Sequence, residues 1–173
     1  SQTILTGERF QQAMDRAGLP KGLFQNLALG HDDAAKIIAS RMVDHVISRE
    51  APIYFDVLVE RIARAHGFQR SGEVVQRTVW AALGRGRFPS SRDGDRHLIW
   101  PADAEIVSKT AYRGAGGRDH GDIPLPELAG LAEILRAKGL EEEEEIIRGM
   151  QEHFGLGRLA ASTRERFEAA TRE

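Results

Sequence analysis

The chain has 173 residues, 41% of them hydrophobic, enough to bury one medium core or two small ones. Its 24 Lys and Arg against 26 Asp and Glu leave a formal charge of -2, so no global field draws it to nucleic acid or to an anionic membrane, and an electrostatic partner must be met by a local patch. The absence of cysteine removes disulfide frameworks, thiolate nucleophiles and cysteine-based zinc sites together, and fits a reducing compartment, the cytoplasm.

No apolar run reaches the length of a bilayer span, and Ser1 to Leu5 carry neither a basic leader nor an apolar core, so no membrane partner is expected. The start at serine fits a piece cut from a longer polypeptide. Phe10, Ala13, Met14 and Ala17 line one side of a short predicted helix from Glu8 to Ala17, ended by Gly18-Leu19-Pro20. Residues 1–31 are read as an N-terminal helical segment. Asp32 or Asp33 offers an N-cap for a longer helix whose stripe is Ala35, Ile38, Ala39, Met42, Val43 and Val46. That helix runs up to Pro52 and is expected to pack on the helices and hairpin beyond it.

From Pro52 to Pro101 two helical patterns, a corner and a hairpin succeed one another. Leu58, Val59, Ile62 and Ala63 recur on one helical face, and Gly67 stops the helix. The corner Gly67-Phe68-Gln69-Arg70 leads to Ser71 as a predicted N-cap, and Val75, Val79, Ala82 and Leu83 form the next stripe, ended by Gly84 and Gly86. Arg87-Phe88 and Leu98-Ile99-Trp100 read as short strands joined by a turn at Asp93-Gly94. Residues 32–101 are therefore expected to be a winged helix-turn-helix with a small β-wing.

Residues 102–121 lose apolar periodicity and include Arg113-Gly114-Ala115-Gly116-Gly117-Arg118, read as a flexible linker. In residues 122–173 order returns, with proline in the first turn of a helix carrying Leu128, Leu131, Ala132 and Leu135. Glu141 to Glu145 then open a helix whose inner face is Ile146, Ile147, Met150 and Phe154, negative charge suiting the helix start. The run from Leu58 to Arg70 lies over the run from Ile146 to Arg158 without a gap, and each is followed by another stripe, the second being Thr163, Phe167 and Ala170. The fold class expected is mainly α, with a second, wingless helical unit that repeats the helix-corner-helix.

The residues Pro52-Ile53, Leu58, Arg61-Ile62-Ala63, Gly67-Phe68-Gln69-Arg70, Val75 to Leu83 and Trp100-Pro101 resemble the uncharacterised C-terminal domain of large superfamily-1 helicase-related proteins that also carry a Vsr-like endonuclease domain. The later run Asp122 to Leu128 and the corner Gly155-Leu156-Gly157-Arg158 are similar to the segment after that module in the same proteins, so the resemblance covers about Pro52 to Glu173. No phosphate-binding loop of the Gly-x-x-x-x-Gly-Lys-Ser/Thr type and no nuclease carboxylate cluster is present. The resemblance therefore implies an accessory domain, with the parent protein's helicase and nuclease domains as partners, and lends no catalytic residue.

The candidate site is basic. Arg77 on the second helix of the motif, with Arg85, Arg87, Arg92 and Arg96 at its end and along the wing, make a locally positive patch suited to phosphate contact and hence to DNA. The bland reading of such arginines is solvated or weakly paired side chains, with Asp93 and Asp95 neutralising the wing. Gly67, Arg70, Gly155 and Arg158 are read as structural corner residues, each arginine meeting carbonyls left open at a helix end. Trp80 and Trp100 fill a core or a seam, or else stack on a base. His31, His45, His66, His97, His120 and His153 have no metal-ligand spacing, and Arg118-Asp119-His120 lies in the expected linker, so no metal, cofactor or catalytic residue is assigned. The function expected is a non-catalytic accessory nucleic-acid-binding module. The alternative is a protein-interaction or oligomerisation module using the same surface.

Overall fold

The computed structural model describes residues 16, 31–67 and 71–173, with side chains from position 39 onward in the first long helix. The short helix expected before Gly18, and the corner residues Phe68, Gln69 and Arg70, lie outside the described residues. The chain divides into Ser1–Ile38 and Ala39–Glu173, and both buried clusters belong to the second unit. The protein is mainly helical, with six α-helices among the described residues and one small antiparallel sheet.

Helix α1 is His31–Glu50. His31 is already helical, so neither Asp32 nor Asp33 is the N-cap expected. Its buried side chains Ala39, Val43, Val46 and Ile47 follow the 3.6-residue period. Strand β1, Ile53–Tyr54, leads into helix α2, Phe55–Ala65, which buries Val57, Leu58, Val59, Ile62 and Ala63. Gly67 follows with φ +78°, a left-handed backbone that glycine adopts without steric cost. Helix α3, Glu73–Leu83, is preceded by Gly72 as its N-cap; Ser71, expected in that role, lies one position too early. Val79 and Leu83 are its buried residues, with Val75 and Ala82 packed beside them.

The hairpin consists of β2, Ser90–Asp93, and β3, Arg96–Ile99. The first strand thus lies three residues beyond Arg87-Phe88, where the sequence placed it. Asp93 pairs with Arg96, leaving Gly94-Asp95 as a two-residue loop in which only Gly94 has positive φ, +58°. Gly at the first loop position is a favoured hairpin chemistry, but the loop is one residue later than the expected Asp93-Gly94 pair. Strand β1 was too short to register as an alternating pattern. It pairs antiparallel with β3 through Ile53 with Ile99 and Tyr54 with Leu98, giving sheet order β1-β3-β2. Sheet, α1, α2 and α3 close on one buried cluster that includes Trp100, whose indole N–H donates to Ser91 Oγ at 2.9 Å.

A second buried cluster is built by Ile123 and helices α4 (Leu125–Ala137), α5 (Glu143–His153) and α6 (Ala161–Arg172). Glu142 and Glu145 form a capping box at the start of α5, satisfying backbone N–H groups reciprocally. Ile146, Ile147 and Met150 of α5 are buried at the positions that match Leu58, Val59 and Ile62 of α2, and Gly155 follows with φ +63°. Between the clusters, the run expected as a flexible linker is irregular but pinned. The Thr110 N–H donates to Pro126 O at 2.9 Å, and Tyr112 Oη lies 2.7 Å from His153 Nε2. Gly130 of α4 sits under it so closely that a Cβ there would be 2.0 Å from Thr110 O.

Candidate nucleic-acid interface

The buried positions of α3 turn its other side outward. Glu73, Val74, Gln76, Arg77, Trp80 and Ala81 are exposed on it. The Arg77 side chain is 71% exposed, and its one ionic neighbour among the described residues, Glu73, is 3.9 Å away. Trp80 is 50% exposed, held edge-on between Phe55, 4.9 Å between ring centroids, and His97, 5.3 Å. His97 pairs across the hairpin with Arg92, whose guanidinium lies 3.3 Å from its Nε2. Trp80 on α3 and His97 on the hairpin thus form an aromatic pair, with Arg92 against His97 and Arg77 on the same outer face of α3. The Arg85 side chain is exposed, has no partner among the described residues, and lines a hollow of about 480 Å³ with Trp80, Gly84, Phe88 and Ser90.

The five arginines singled out in the sequence therefore separate. Arg77, Arg85 and Arg92 are exposed. Arg87 is tied back to α1, 2.5 Å from Asp44 and donating to Ser40 Oγ at 3.3 Å. Arg96 stacks 3.6 Å from the centre of the Tyr54 ring and donates to both Asp56 oxygens at 3.2 and 2.7 Å. It also donates to Gly121 O, so it braces the hairpin against the segment leading to α4. At the second corner Arg158 is exposed and has no partner among the described residues; the carbonyl of Leu156 is met instead by Gln151 Nε2 at 2.9 Å.

The groups that join the two clusters escaped the sequence reading. Asp93 accepts from Tyr54 Oη, from the Leu125 N–H at 3.1 Å and, at 3.4 Å, from Arg166, which also donates to Tyr54 Oη and to the carbonyls of His120, Gly121 and Ile123. Burial pushes the Tyr54 hydroxyl above its ordinary range; the Arg166 charge opposes this, and the bond to Asp93 adds to it. Glu127, fully buried on α4, accepts from Arg113 at 2.7 Å and Arg118 at 2.8 Å, and Arg113 reaches on to Ala51 O and Pro52 O at 3.1 and 3.2 Å. Burial acts to raise the Glu127 carboxyl, but hydrogen bonds from Arg118 and Arg113 outweigh it and hold the group below the usual carboxylate range. One signal was available: Glu127 is four residues before Leu131 and eight before Leu135, a charge at a core phase of an otherwise apolar helix.

Residues 31–77 match one family model. It is described as a protein of unknown function (DUF3320). The match covers α1, β1, α2 and the first turn of α3, and marks that stretch as similar to an uncharacterised domain. No curated protein and no solved structure matches the chain. Among the described residues, no helix is long and apolar enough to cross a membrane, and no three of His, Asp and Glu converge as metal ligands. His120 is packed between Phe154 and Phe167 and lies 3.3 Å from both Asp119 and Thr163, a set of contacts that supports the second cluster.

Proposed function

We propose that this chain is a non-catalytic accessory module that binds nucleic acid, DNA in the first place, through the outer face of α3 and the adjoining side of the hairpin. The observation that carries the reading is the aromatic pair Trp80 and His97 with exposed Arg77, Arg85 and Arg92: guanidinium groups for phosphates, and an exposed indole on which a base can stack. The order α1-β1-α2-α3-β2-β3 supports it, because in a winged helix-turn-helix the helix in the place of α3 is the one presented to a groove. Arg87 and Arg96 take no part, being bonded within the fold. The resemblance to helicase-related proteins supplies the setting, a cytoplasmic machine whose helicase and nuclease domains handle DNA while this module, without cofactor, holds it. Fluorescence anisotropy with labelled duplex and single-stranded oligonucleotides tests the reading, with Trp80→Ala expected to weaken binding by about 1–3 kcal/mol. No binding to any oligonucleotide at about 50 μM protein, a level at which even non-specific contacts register, overturns it.

A second reading has its own observation. Val74 is 67% exposed on the same face as Trp80, and two apolar side chains offered together suit docking on another domain of the parent protein. Binding to the isolated helicase or nuclease domain that is lost on Val74→Asp, together with no oligonucleotide binding, would favour that reading.

A further inference from the structure

On a different face, α1, α2 and the glycine turn after Tyr112 enclose a cleft of about 310 Å³. Arg49, Arg61, Arg113 and Arg118 stand in its wall, with Glu50 the one carboxylate among the lining residues. We propose that this cleft binds a phosphate-type oxyanion, free or as the phosphate group of a small ligand.

The charge balance is the first reason. Glu50 pairs with Arg61 at 3.1 Å, and Glu127, buried beneath the cleft, is shared by Arg113 and Arg118. Four guanidinium groups thus face two carboxylates, so two positive charges are uncompensated in a concave site, where low-dielectric walls focus the field. Arg49 has His45 as its neighbour, at 2.7 Å, and no carboxylate among the described residues.

Unused donors are the second. Among the described residues Arg61 engages Glu50 through Nε alone, leaving both Nη groups, and Arg49 uses only Nη1, leaving Nε and Nη2. Among the described residues the backbone N–H groups of Gly114 and Gly116, the two glycines that line the cleft, have no acceptor. Gly114, Gly116 and Gly117 have φ of +83°, +55° and +77°, and a Cβ added to any of them would meet nothing within 4 Å. Left-handed glycines beside free amides are how short turns make anion-binding concavities.

Preorganisation is the third. Arg118 donates to Ala115 O and Gly114 O as well as to Glu127, and Arg113 is held at both ends, so the turn and two of its arginines are fixed before any ligand arrives. The volume is at the lower limit of small-molecule pockets, about 300 Å³, which suits a phosphate or diphosphate group.

The test is isothermal titration calorimetry of the 173-residue chain with inorganic phosphate, inorganic diphosphate and ADP. Binding of at least one of them is expected, reduced about tenfold, or about 1.4 kcal/mol, by Arg61→Gln and by Arg49→Gln, with thermal denaturation unchanged for Arg49→Gln. Tighter binding of ADP than of diphosphate would identify a nucleotide as the source of the group, and the reverse order the free anion. Arg77→Glu, which removes a charge on α3, leaves this binding intact, so the cleft and the α3 face are tested apart. No heat with any of the three at about 1 mM ligand, or binding unaffected by both glutamine substitutions, overturns the proposal.

Discussion

On the outer face of α3, Arg77 and Arg85 extend into solvent with no carboxylate among the described residues nearer than 3.9 Å, while at the junction of the two buried clusters Arg113, Arg118 and Arg166 use their donors on Glu127, Tyr54, Asp93 and main-chain carbonyls. The residue type is the same and the physical role is opposite. At the junction each guanidinium is desolvated in part and offset by bonds within the fold, so removing it strands buried acceptors. On α3 the charge costs nothing to leave hydrated and remains available to an incoming anion. A count of arginines in a stretch of sequence therefore overstates the candidate patch, and the partners already bonded decide which charges are left exposed.

The largest effects are expected at the buried junction. Glu127→Ala leaves Arg113 and Arg118 without their carboxylate and is expected to cost about 3–5 kcal/mol, measured by urea denaturation. Because the folded carboxyl is held below the ordinary glutamate value of about 4.3, its contribution is complete above that pH and is lost as pH falls through the folded value. Stability should thus decline below about pH 4, more steeply in the parent than in Glu127→Gln, and equal slopes would contradict the assignment. Arg166→Ala follows, at about 2–3 kcal/mol, since charge-assisted bonds to Tyr54, Asp93 and three carbonyls disappear together. Gly130→Ala comes next: the new methyl must displace Thr110 and is expected to lower stability by about 1–3 kcal/mol, and a neutral result would mean that the segment before α4 gives way freely. Smallest in stability is the open face, where Arg77→Glu with Arg85→Glu should shift the unfolding free energy by no more than about 0.5 kcal/mol.

The helices were legible because burial follows a local period. Leu58, Val59, Ile62 and Ala63 on α2, and Ile146, Ile147 and Met150 on α5, announce their inner faces within a dozen residues, and glycines at 67 and 155 mark where the chain turns left-handed. The junction was illegible for the converse reason. Tyr54 and Arg166 are 112 positions apart, and no periodicity links them. Strand β1 has two residues, too few to alternate, so the third strand of the sheet emerged only from its pairing with β3. Of the candidate site, the outward turn of Arg77 followed from the phase of Val75 and Val79. The withdrawal of Arg96 onto Tyr54 and Asp56, and of Arg87 onto Asp44, depended on elements distant in sequence.

Whether exposed Arg77, Arg85 and Arg92 meet phosphates while Arg113, Arg118 and Arg166 hold the fold is decided by the salt dependence of duplex binding. Fluorescence anisotropy across a series of salt concentrations should give, for the parent chain, a log–log slope of about −3, as expected when three arginines each neutralise a phosphate. Charge reversal at Arg77, Arg85 and Arg92 should abolish the binding with the unfolding midpoint preserved. A duplex affinity insensitive to salt, or one retained by the triple variant, would contradict phosphate contact by these arginines.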